Sequence, residues 1–98
     1  MLHMAVLTHG PDTCAAAHPE FGELARDGFG DINESAGKLG IEVQGFWVNT
    51  PGHTFFILLD APNAHAINRL MIETKAFVWN TVEIHTIITS EEAMQLTV

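Results

Sequence analysis

The alternation of apolar patterns along the chain predicts an α+β fold, a four-stranded antiparallel sheet with two helices on one face. Three observations carry that prediction. Four short runs have strand character and two longer stretches between them have helical spacing, in the order β-α-β-β-α-β. Thr50-Pro51-Gly52-His53 joins the second and third runs as a tight turn. Thr89-Ser90-Glu91-Glu92 after the last run reads as a capping box that opens a short terminal helix.

Each element has its own justification. Leu2 to Thr8 is a short apolar run bounded by Gly10-Pro11, which suits a buried strand. From Pro19 to Leu39 the apolar positions Phe21, Leu24, Ala25, Phe29, Ile32, Ala36 and Leu39 recur at helical spacing, with Glu23, Arg26, Asp27, Glu34 and Lys38 mostly opposite. That spacing predicts one amphipathic helix, started by Pro19 and ended by Gly40, with a kink at Gly28-Phe29-Gly30. Ile41 to Val48 and Thr54 to Leu59 are rich in β-forming residues and predict two strands. Pro51-Gly52 fits the centre of a type II turn, making them an antiparallel hairpin with His53 just past the bend. Asn63 to Thr74 carries Ala64, Ile67, Leu70 and Met71 at helical spacing, with Asn63 as the cap. Thr81 to Thr89 alternates and forms the fourth strand.

Composition narrows the function. The chain has 98 residues, 47% of them apolar, which allows one compact domain over residues 1–98. A core of this size covers only part of the apolar surface, so an open sheet face favours self-association and a homodimer or higher homo-oligomer is expected. Four Lys plus Arg against twelve Asp plus Glu give a net charge of -8, which repels nucleic-acid backbones and anionic lipid. The expected partners therefore include neither nucleic acid nor a membrane. With no leader-like N-terminus and no apolar stretch of spanning length, the expected location is the cytoplasm. Cys14 has no second cysteine to pair with inside the chain, which leaves it a buried thiol, a reactive thiol, a ligand or an intermolecular link.

The element order is that of the ferredoxin-like fold, with strands arranged 4-1-3-2. In that arrangement the end of strand one lies beside the starts of strands three and four. His9, His53 and Asn80 then meet at one sheet edge, the loop carrying Cys14 and His18 opens from the same edge, and Trp79 lies just before strand four.

On this element order, on Asp60-Ala61-Pro62-Asn63-Ala64 at the start of helix two and on Val82-Glu83-Ile84 in strand four, the chain resembles small ferredoxin-like proteins that pair through open sheet faces into dimeric α/β barrels. Those relatives include monooxygenases, isomerases, uncharacterised proteins and metal-binding members, nickel-binding ones among them. The resemblance implies fold and dimerisation; it carries no ligand set over to His9, Cys14 or His53.

Thiolate and imidazole are soft to borderline donors suited to zinc, nickel or copper, and three of them leave one coordination position open. His9, Cys14 and His53 are therefore the candidate metal ligands, although the His9-x4-Cys14 spacing is not a standard zinc motif. The competing account makes the histidines backbone-bonding turn residues and Cys14 a small buried hydrophobe. His18, immediately before Pro19, fits a helix start better than ligation. A second grouping is Glu83 and His85, two residues apart on one strand face, where a carboxylate tunes an imidazole for proton transfer. His3 and His65 are within reach of that grouping if strand parity allows. On that alternative reading the protein is a cofactor-independent enzyme of isomerase or monooxygenase type, acting on a small organic ligand within an aromatic pocket, and on a solvated face the pair is an ordinary polar contact. The acidic residues Glu20, Glu23, Asp27, Asp31 and Glu34 have helix-surface spacing and no calcium-loop pattern. No phosphate loop, nucleophile elbow or paired CxxC occurs.

Overall fold

A computed structural model describes residues 1–97. The sheet is built from β1 (Leu2–Thr8), β2 (Glu42–Asn49), β3 (Thr54–Asp60) and β4 (Thr81–Thr86) in the order β2-β3-β1-β4, all neighbours antiparallel. This is the ferredoxin-like order expected from the sequence. The helices are α1 (Pro19–Phe29), α2 (Ile32–Gly37), α3 (Ala64–Glu73), α4 (Ala76–Trp79) and α5 (Ser90–Gln95).

Strand parity sorts the side chains into two faces. His3, Ala5 and Leu7 of β1 and Ile57 and Leu59 of β3 are buried beneath the helices, where they meet Ile32 and Ala36 of α2 and Ile67, Leu70 and Met71 of α3. The opposite face carries Met4, Val6, Phe56 and Leu58, all half-buried, and the exposed Trp47, whose indole lies where a Cβ on Gly45 would stand. No helix among the described residues is long and apolar enough to cross a membrane.

Several details differ from the sequence expectations. The single helix over Pro19 to Leu39 is two helices: Asp31 leaves the helical region (φ -113°, ψ 29°) and restarts the chain as α2, its carbonyl accepting from Ser35 N–H at 3.0 Å. Gly28 and Gly30 weaken the stretch just before the break, so the kink expected there is a full interruption one residue later. The hairpin does turn at Thr50-Pro51-Gly52-His53, with His53 N–H donating to the Thr50 carbonyl at 3.2 Å. It is not type II, because that turn needs positive φ at Gly52, whereas the positive φ falls on His53 (52°). Strand four stops at Thr86 rather than Thr89, and α4 is an additional turn of helix entered through Lys75 at φ 60°. The two anticipated caps form: Asn63 Oδ1 accepts from Ala66 N–H at 2.9 Å, and Thr89 Oγ1 accepts from Glu92 N–H at 3.1 Å.

Candidate metal centre

The register brings the site together. Thr8 pairs with both Thr54 and Thr81, so the end of β1 sits between the beginnings of β3 and β4. His9 follows β1 directly, and its backbone N–H donates to the His53 carbonyl at 3.1 Å, one step beyond the strand ladder. Cys14 lies in the loop between β1 and α1, after a single 3-10 turn over Pro11–Thr13. Its carbonyl accepts from Ala17 N–H at 3.1 Å and His18 N–H at 3.0 Å, closing the loop against the start of α1. His18 stands at the helix start, as its place before Pro19 implied, and its Nε2 donates to the Pro11 carbonyl at 3.0 Å. His18 thus ties the loop together from within.

One donor atom each from His9, Cys14 and His53 lies within 4.8 Å of the others. Cys14 is buried and free, and both histidines are half-buried. His9 Nε2 and His53 Nδ1 are enclosed and lack any hydrogen-bond partner. Leaving a buried polar atom unsatisfied costs about 1–3 kcal/mol, so two such nitrogens on histidines clustered with a thiol are groups that a bound cation would satisfy. In tetrahedral zinc sites, bonds of about 2.0–2.3 Å set donor atoms about 3.3–3.7 Å apart. Closing 4.8 Å to that range takes a movement of about 1–1.5 Å, within the reach of a χ rotation. His9, Cys14 and His53 line a pocket of about 180 Å³ together with Ala15, Val48 and Phe55.

The surroundings hold His9 firmly. Its ring packs against Phe55 and Trp79, with centroids 5.6 and 5.2 Å away, these two rings also touching each other at 5.6 Å, and meets His53 edge-on at 5.3 Å. Its Nδ1 is 2.9 Å from Asn80 Oδ1, while Asn80 Nδ2 donates to the Ala76 carbonyl at 3.1 Å. The amide is thereby oriented with its oxygen toward His9, so His9 Nδ1 carries the proton and Nε2 is the free lone pair. Strand order alone places Asn80 near His9; the hydrogen bond becomes visible only with α4, which the sequence did not announce. Trp79, 3% exposed, also keeps its indole N–H buried without a partner.

Glu83 and His85 share the open sheet face, as strand alternation required, and His85 Nε2 lies 3.2 Å from Glu83 Oε2. Both side chains are more than half exposed. His3 does not join them: it pairs across β4 with Thr86, not His85, and its side chain is buried on the opposite face, where Nδ1 donates to the Met1 carbonyl at 3.0 Å. His65 is exposed at the start of α3. No second group of three metal-ligating side chains forms among the described residues.

Fold and site together define a small ferredoxin-like α+β domain with a two-histidine, one-cysteine cluster at one end of its sheet. The chain belongs to the DUF3303 family, a domain of unknown function whose profile matches residues 1–98. No curated protein matches it.

Proposed function

We propose that the protein is a small metal-binding domain in which His9, Cys14 and His53 hold one transition-metal ion, zinc, nickel or copper. The observation that carries this reading is the pair of enclosed, partnerless nitrogens, His9 Nε2 and His53 Nδ1, on two histidines that cluster with Cys14. Imidazole and thiolate without a carboxylate form a donor set for borderline and soft ions rather than magnesium or calcium. A single cysteine with no second one to pair with inside the chain is in keeping with a cytoplasmic location.

The same reading includes pairing of two copies through the open sheet face as a dimeric α/β barrel. Its support is the uncovered apolar surface of Met4, Val6, Phe56, Leu58 and Trp47. A second reading draws on the Glu83–His85 hydrogen bond on that face: enclosed between paired sheets, the two would be an acid/base pair of a cofactor-independent enzyme of isomerase or monooxygenase type. The exposure of both side chains places this second.

The test is elemental analysis of untagged protein purified without chelator, followed by titration of zinc, nickel and copper(I) into the metal-free form. One equivalent bound by the wild type and lost in Cys14→Ser and His53→Ala is the expected result. No tight metal, or binding indifferent to both substitutions, would overturn the site and move attention to Glu83 and His85.

A further inference from the structure

We infer that Asn80 is a positioning residue for the metal site, holding His9 in the tautomer that presents Nε2 as a ready lone pair. The inference rests on the reading of His9 as a ligand. A neutral imidazole carries its proton on either nitrogen, and only the unprotonated one binds a metal. A ring free to choose would meet an arriving ion with the wrong nitrogen protonated in part of the population. The Asn80 carbonyl oxygen removes that choice by accepting from Nδ1–H at 2.9 Å.

Asn80 suits the role because it is itself fixed. It is 9% exposed, and its Nδ2 is tied to the Ala76 carbonyl at 3.1 Å, so the amide cannot turn over and offer a donor to His9 without breaking that bond. Ala76 and Trp79 bracket α4 and are both buried, which anchors this support in the core. Phe55, Trp79 and His53 all pack against the imidazole and oppose a ring flip that would exchange its two edges. Hydrogen-bond partners of this kind orient metal-bound histidines in general, and losing one weakens binding about 10- to 100-fold.

Two substitutions separate this role from a merely structural one. Asn80→Asp keeps an acceptor for His9 and loses the donor to Ala76; Asn80→Leu loses both. In zinc titrations of the full chain, Asn80→Asp should bind near wild-type affinity and Asn80→Leu about 10- to 100-fold more weakly. In the metal-free protein, long-range proton–nitrogen NMR with the imidazoles neutral should show His9 as the Nδ1–H form in the wild type and a tautomer mixture in Asn80→Leu. Equal losses in both variants would make Asn80 only a structural anchor, and an Nε2–H form in the wild type would overturn the inference directly. Zinc bound through His53 and Cys14 but indifferent to Asn80→Leu would remove this inference and leave the metal reading standing. A wild type that takes up no zinc, nickel or copper would remove both.

Discussion

His9 and His53 stand with ring centroids 5.3 Å apart and planes inclined at 65°, joined at the backbone by a 3.1 Å hydrogen bond, and each keeps one enclosed nitrogen without a partner. In the metal-free state both imidazoles of this pair leave a buried nitrogen unsatisfied. Filling the site should therefore act on stability as well as on binding.

Zinc at a hundredfold excess over its dissociation constant should stabilise the wild type by about 2.7 kcal/mol. For a chain of this length that corresponds to a rise in melting temperature of roughly 10–20 °C. Thermal unfolding followed by circular dichroism checks this, with chelator reversing the rise and Cys14→Ser abolishing it. An equal rise in Cys14→Ser would mean that the ion sits elsewhere.

His53 occupies the left-handed region at φ 52°, where a β-carbon is strained, and buries a partnerless nitrogen. His53→Gly should relieve both, making the metal-free protein more stable by about 0.5–1 kcal/mol while eliminating its metal. Urea unfolding of the two metal-free proteins measures the difference. A less stable variant would show that the contact of the His53 ring with His9 outweighs the strain.

Two glycines should respond in opposite directions to alanine. A Cβ on Gly28 would fall on the Thr74 carbonyl oxygen, where α1 passes the end of α3, so Gly28→Ala should destabilise by roughly 1–3 kcal/mol. Gly37, at the end of α2, has nothing within 4 Å of such an atom. Gly37→Ala should be neutral or stabilising by up to about 1 kcal/mol. Denaturation midpoints of the pair decide the matter, and a destabilised Gly37→Ala would contradict the open space seen there.

Phe56 lies near the middle of the open sheet face, opposite Trp47 and Val6 in the register. If a second copy covers this face, sedimentation should find the wild type as a dimer and Phe56→Glu as a folded monomer. A monomeric wild type at micromolar concentration would rule out the barrel pairing.

The strands and the convergence of His9, Cys14 and His53 were legible because they follow from parity and strand order, which sequence periodicity encodes directly. The break at Asp31 was not, since Phe29 and Ile32 stay in helical phase across it and the apolar pattern runs through unbroken. Nor was α4 foreseen. One turn of helix is too short for a periodic signal, and its start depends on a positive φ at Lys75, which no side-chain rule favours. The His9–Asn80 bond depends on α4 and so shared its invisibility. The turn type misled because Pro-Gly is the usual type II signature, whereas the same four-residue loop carries its positive φ one residue later, on His53.

The bond from His9 N–H to the His53 carbonyl extends the β1–β3 ladder by one rung. An ion held at that rung by both imidazoles is held only after two strands distant in the chain have zipped in the correct register. A slip by one residue would send one histidine to the other side of the sheet and take the chelate apart. Metal occupancy would thus serve as a proofreading mark, found on correctly assembled molecules and withheld from misregistered ones.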